Sequence, residues 1–472
     1  MKRNYWRVVS WVLLWVVFLI KGVWMLDPDF GQHLKTGEVI VRSGLPMTDP
    51  FSYTMSSWRY IDHAWVSDVL IWAGYKTGGM WLLAAAYAAM ATGALWLVTD
   101  KGRWGLVAAI LGAAVFMGRM GVRPQVVDWL MTAVVLRHLN EDWWRKRKWV
   151  VPILFGVWAN LHGGVAIGLA ILGAKTVGLW WEGKLKFSDT AVLGLAMAAT
   201  LANPYGVGLW RQIGLEVADV SLKKTVAEWR PWYGSVDFGF WMLAAMIGMW
   251  GWRYRKKIGW GEWLILGGTF AAGLSSLRHM AIFALTAAWV LGKVLVGFEE
   301  DFGRKHEVKQ RLDWFYGLMM GVSLLVLAVQ GGGELWGARQ VSEERFYPIK
   351  AVEWLKSKPV KGNLFSDYGW GGYLIWKLPE KKTFVDGRMP SWKRPSGSAF
   401  EDYLDIVWRE KDFGPVFELY GVEAVLWPKR YSDWFKNSKE KSFPDRLEIA
   451  GWEKIYEDRV SVIYNKQYEE VH

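Results

Sequence analysis

The run Asp27-Pro28-Asp29-Phe30-Gly31-Gln32-His33 sets two carboxylates two residues apart and an imidazole four residues beyond the second. Such groups can take a proton from a hydroxyl or hold a divalent cation through hard oxygen ligands. A helix stop with solvated carboxylates would use the same residues. Further along, His63, Arg119, Arg123, Asn160, His162, Asn203, Glu228, Arg278 and His279 stand at the ends of other apolar runs or in the loops between them. Arginine can clamp a phosphate or pyrophosphate through two parallel hydrogen bonds. Histidine can donate hydrogen bonds or complete a metal site. A carboxylate base beside a basic phosphate clamp suits transfer from a lipid-linked phosphate, whose developing charge an arginine stabilises. Plainer readings stand beside these. Arg119 and Arg123 can meet lipid phosphates, Asn160 and Asn203 can cap helices, His162 can be a structural hydrogen-bonding residue, and Glu228 can make a loop salt bridge.

The elements that position these residues are apolar. Of 472 residues, 52% are hydrophobic, and the chain holds 36 Trp and no Cys. Long apolar runs with few charges read as membrane helices. The mean hydropathy of only +0.09 reflects the Trp and Gly content and a polar C-terminal part. Acids and bases balance from residue 332 onward, so the whole net charge of +12 belongs to residues 1–331. That excess speaks for membrane orientation, and nothing in the sequence reads as a nucleic-acid-binding motif. The absence of Cys excludes disulfides, Cys-ligated zinc and thiol catalysis.

The pattern predicts a first, uncleaved span over 8–26 and a polar outer loop over 27–64. A short interfacial helix follows over 65–76. Further spans fall near 80–98, 104–117 and 124–140. Residues 149–182 read as two short helices meeting at Asn160-Leu161-His162-Gly163-Gly164. The remaining spans are expected near 188–202, 238–252, 260–277, 280–297 and 312–331, with Gly331-Gly332-Gly333 as the link to the soluble part. The expectation is thus a polytopic α-helical protein of about eleven spans, residues 1–331, followed by an extracytoplasmic α/β domain over 332–472. The basic residues concentrate on the segments assigned inside when 149–182 counts as two crossings. That orientation puts the N-terminus in the cytoplasm and every polar residue named above on the outer side of the cytoplasmic (inner) membrane. In the C-terminal part, Ala351–Lys356 reads as helix, and Asn363–Asp367, Thr383–Asp386 and Val422–Trp427 read as strands.

The sequence resembles the GT-C glycosyltransferases, and more narrowly a family of bacterial polytopic membrane proteins of that type with an outer C-terminal domain. The stretches that carry the resemblance cover most of the chain. They are DPDFGQHLKTGEVI from Asp27, LPMTDPFSYT from Leu45, HAWVSD from His63, RPQ from Arg123, NLHGG from Asn160, NPYG from Asn203, EWRP from Glu228 and SDYGWGGYLIWKLPEKKTFVDGR from Ser366. The resemblance implies inverting transfer of a sugar from a polyprenyl-phosphate or pyrophosphate donor to a glycan, lipid or protein acceptor outside the cytoplasmic membrane. It implies a catalytic acid in the first outer loop, Asp27 or Asp29, with Mg²⁺ or Mn²⁺ held there in the members that use a metal.

Two other readings compete. A transporter or flippase of a lipid-linked saccharide would need polar groups on the inner side and often repeat symmetry, and the sequence shows neither. A non-catalytic scaffold would leave the polar residues scattered.

Overall fold

The computed structural model describes residues 2–99, 102–140, 144, 146–234, 236–302, 306–395, 397–431 and 442–467. Two compact units emerge. One comprises 1–24, 63–67 and 74–338, the other 25–62, 68–73 and 339–472.

The first unit is helical. Among the described residues, four helices are long and apolar enough to cross a membrane: Tyr5–Trp24, Trp65–Val98, Leu277–Leu295 and Gln310–Gln340. Shorter apolar helices, Arg103–Met117, Lys148–Leu161, Val165–Trp181, Phe187–Ala199 and Phe238–Gly251, accompany them. The chain is therefore a polytopic helical membrane protein. The Trp65–Val98 helix is broken at Gly79, whose φ of +64° lies in the left-handed region. This separates a short leading helix from the span, as the pattern predicts. The helices Val151–Leu161 and Val165–Trp181 meet at His162, whose backbone is extended.

One expected boundary differs. Residues 331–333 do not end a helix: helix His306–Gln340 runs through all three glycines. Tertiary bonds hold it there. Gln330 donates to the Ala114 carbonyl and accepts from the Gly239 N–H, and Glu334 pairs with Lys21 at 2.9 Å. In an apolar setting an unbonded backbone costs more than a glycine's lost entropy.

Among the described residues of the second unit, four strands form one sheet in the order β1-β2-β4-β3, with β1 Asn363–Ser366, β2 Val422–Pro428, β3 Trp452–Glu457 and β4 Ser461–Lys466. β1 and β2 are parallel, and the other pairings are antiparallel. An aromatic core of Phe365, Phe384, Tyr403, Phe417, Trp427 and Phe443 packs on it. Residues 383–386 form no strand of their own. Thr383 makes only an isolated bridge to Ser52.

The stretch expected as a loop over 27–64 contains a helix, Phe30–Ser43. It buries Phe30, Leu34 and Gly37 on one stripe, and Glu38 pairs with Lys35 and Arg42 on the other, each at 2.8 Å. The stretch after it threads into the sheet unit. Thr54 Oγ1 donates to the Phe384 carbonyl at 2.7 Å, and Tyr53 OH to that of Leu364 at 3.1 Å.

Candidate active site

In the helical unit, His63, Asp128, His162, Glu216, Arg278 and His279 line one cavity of about 80 Å³. Their positions follow from local structure. Asp128 lies in the first turn of helix Gln125–His138, where the helix dipole favours a carboxylate. His162 occupies the break between two helices. Its Nδ1 lies 2.5 Å from Asp128 Oδ2, and Trp158 Nε1 donates to Asp128 Oδ1 at 2.8 Å. Gly164 completes this arrangement, because a side chain there would collide with the Asp128 carboxylate. The His63 ring meets the His162 ring edge-on, centroids 5.1 Å apart, and His63 Nδ1 lies 4.0 Å from Glu216 Oε1.

One lining residue, Arg278, is cationic. Arg278 lies 4.5 Å from the centroid of the Trp229 ring and 3.5 Å from Glu228. Glu228 also receives Arg123 at 2.8 Å, so one carboxylate spaces two guanidinium groups. Burial works against the Glu228 charge, but Arg123 and Arg278 outweigh it and hold its pKa below the usual glutamate value.

Three residues singled out by type lie away from this cavity. Arg119 is buried and committed to Asp237 and to the carbonyls of Val115 and Leu277. Asn160 accepts from Trp65 Nε1 at 2.9 Å and donates to the carbonyls of Gly156 and Ala202. Asn203 closes its own turn, accepting from Tyr205 N and donating to Thr200 O. The sequence reading missed Asp128 and Glu216. A lone carboxylate in the apolar run after Arg123-Pro124-Gln125 was the signal available for the first.

The acidic run lies in the second unit. Asp27 is buried, and its Oδ1 accepts from the Asp29 N–H at 3.0 Å. That bond, with Phe30 N donating to Asp27 O at 3.0 Å, makes Asp27 the residue that shapes the turn. Asp29 is half-buried and lies against Gly387. His33 follows one helical turn later and pairs with Asp68 at 2.8 Å. Tyr347 donates to the Leu26 carbonyl at 2.9 Å. Burial, reinforced by the Asp27 and Asp29 charges, raises its pKa and keeps it a neutral donor. Arg388 is spent nearby: it joins Asp49 at 2.7 Å and Asp386 at 2.7 Å and lies against Phe51, Tyr60 and Trp392. Burial opposes its charge, but the two carboxylates outweigh burial and raise its pKa.

Among the described residues, no three His, Cys, Asp or Glu side chains group as metal ligands.

The fold is shared with solved structures of an archaeal oligosaccharyltransferase and of ArnT. Solved structures show the likeness. The oligosaccharyltransferase AglB from the archaeon Archaeoglobus fulgidus, in complex with an inhibitory peptide and a dolichol-phosphate, matches with TM-score 0.59 at 13% identity, over 90% of this chain and 70% of that one. ArnT from Cupriavidus metallidurans, bound to undecaprenyl phosphate, matches with TM-score 0.51 at 13% identity over 99% of both chains. A further structure of the Archaeoglobus fulgidus enzyme, in complex with Zn and sulfate, matches with TM-score 0.55 at 13% identity over 97% of this chain and 73% of that one. No protein-family model and no curated protein matches the sequence.

Proposed function

We propose that the chain is a membrane glycosyltransferase. It moves a sugar, with inversion, from a polyprenyl-phosphate-type lipid to an acceptor on the outer side of the cytoplasmic membrane. The observation that carries this reading is the convergence of His63, His162, Arg278 and His279 on one cavity. It occurs in a fold shared with proteins captured with dolichol-phosphate and undecaprenyl phosphate.

In this reading Arg278, spaced from Arg123 by Glu228, neutralises the phosphate. His63 and His279 supply further donors. An apolar groove of about 830 Å³, lined by Trp65, Pro152, Ile153, Asn160, Leu161 and Leu195, adjoins His162 in sequence and suits a prenyl chain. Asn160 contributes by holding Trp65 in that wall, and Asn203 shapes the end of a neighbouring helix. Arg119 serves through its bond to the Leu277 carbonyl, one residue before Arg278.

Asp29 is the general base, and Asp27 shapes its turn. The Asp29 carboxylate takes the proton of an acceptor hydroxyl, which frees that oxygen to attack an anomeric carbon.

The test is transfer of labelled sugar from a polyprenyl-phosphate donor in membranes carrying the full chain. Asp29→Asn should cost about 10²–10⁴-fold while membrane insertion stays normal. Full transfer by the Asp27→Asn, Asp29→Asn and double variants would sink the reading. Mass spectrometry of the envelope glycans lost on deletion identifies the product.

A further inference from the structure

We propose that His162 is the acid that protonates the departing lipid phosphate, and that Asp128 is the residue that positions it. This rests on the reading of the cavity as the donor-phosphate site.

Four observations carry it. First, Asp128 is buried at the end of an apolar helix, where a carboxylate is costly unless it is used. Its two oxygens meet Trp158 Nε1 and His162 Nδ1. Second, the His162 Nδ1 lies 2.5 Å from the Asp128 carboxylate and 3.2 Å from the Gly164 N–H, and the shorter contact, to an anion, assigns the ring proton to Nδ1. The Nδ1 proton faces the carboxylate, and Nε2 is the nitrogen that can lend a proton to the cavity.

Third, a second imidazole, His63, whose Nδ1 lies 4.0 Å from Glu216 Oε1, meets the His162 ring edge-on in the same cavity. Fourth, the remaining wall is shaped for an anion. Arg278 is there, and the buried Nδ1 of His279 has no hydrogen-bond partner among the described residues. The charged and titratable groups around His162 are thus Asp128, His63, Glu216, His279, Arg278 and Glu228, the last matched by Arg123 and Arg278.

The step balances as follows. The bond between the anomeric carbon and the phosphate oxygen breaks, and its electron pair stays on the phosphate. The phosphate takes the Nε2 proton of the His162 imidazolium. The anomeric carbon bonds the acceptor oxygen, whose own proton goes to a general base. His162 recovers its proton from solvent before the next donor binds.

The experiment uses the full chain in nanodiscs and undecaprenyl phosphate, the departing group, as probe. Its affinity is read from tryptophan fluorescence between pH 5.5 and 8.5, with thermal unfolding of every variant alongside. The wild type should lose about tenfold or more in affinity across this range, because an imidazolium that helps hold the phosphate is lost. His162→Gln and Asp128→Asn should both flatten that profile, while Arg278→Gln should lower affinity at every pH. Should His162→Gln fail to fold, Asp128→Asn, which keeps an oxygen for Trp158, carries the same expectation. A wild-type pH profile in a folded His162→Gln or Asp128→Asn protein overturns the proposal and leaves the phosphate site standing. No binding of undecaprenyl phosphate by the wild type at any pH overturns the donor-site reading itself, and this inference with it.

Discussion

The carboxylate of Asp29 rests against the Cα of Gly387, a residue 358 positions away. Any side chain at 387 would take the place of Asp29 Oδ1. The glycine of the Asp386-Gly387-Arg388 triplet is therefore a spatial requirement of the acidic run near the other end of the chain. Gly387→Ala should move the carboxylate and lower sugar transfer by about 10²-fold, the typical effect of a misplacement near 1 Å. Binding of undecaprenyl phosphate, measured in parallel, should be unchanged, since no residue of the cavity proposed for it is altered.

The same logic applies to Gly164 and Asp128. Gly164→Ala must push the carboxylate away from His162 or strain the helix start, and overpacking of this kind costs about 1–3 kcal/mol. Thermal unfolding of the variant in detergent should show a lowered midpoint, and the pH profile of phosphate binding should flatten as it does in Asp128→Asn.

Arg388 separates structural from functional charge. Removing it leaves Asp49 and Asp386 buried with their partner gone. Breaking a buried pair in this way costs about 3–5 kcal/mol. Arg388→Gln should therefore lower the unfolding midpoint strongly, whereas Arg278→Gln, on a wall of a cavity, should leave it nearly intact and weaken phosphate binding.

Glu228 makes a prediction in pH. Its folded pKa lies below the ordinary 4.5, because Arg123 and Arg278 favour the carboxylate more than burial disfavours it. A depressed acid contributes stability that is fully present above its unfolded pKa and lost as pH falls through the folded one. The difference in unfolding midpoint between wild type and Glu228→Gln should hold steady from pH 7 to about 5 and shrink below that. Unfolding curves of both proteins across this range check it. A difference that already shrinks between pH 7 and 5 would contradict the sign.

Much of this protein was decided by short-range pattern. The apolar runs, their polar ends, the break at Asn160–Gly164 and the short helix before Gly79 are readable because helical period, glycine and charge act over a few residues. The helix Phe30–Ser43 was equally present in the spacing of Phe30, Leu34 and Gly37, but the polar residues around it masked the stripe.

What the sequence alone could not decide was partnership. Arg119, Asn160 and Asn203 have the residue types of a binding site, yet their hydrogen-bonding capacity is met by Asp237, Trp65 and backbone carbonyls. Asp128 reads as an ordinary member of an apolar helix until Trp158 and His162 close on it from another one. Residues 25–62 join a sheet built more than 300 positions later, through bonds such as Thr54 to Phe384, and no local period encodes such a contact. Sequence pattern set where polar groups stand along each helix. The tertiary structure decided which of them turn toward a common cavity, because a buried polar group must find its partner wherever the chain's packing supplies one.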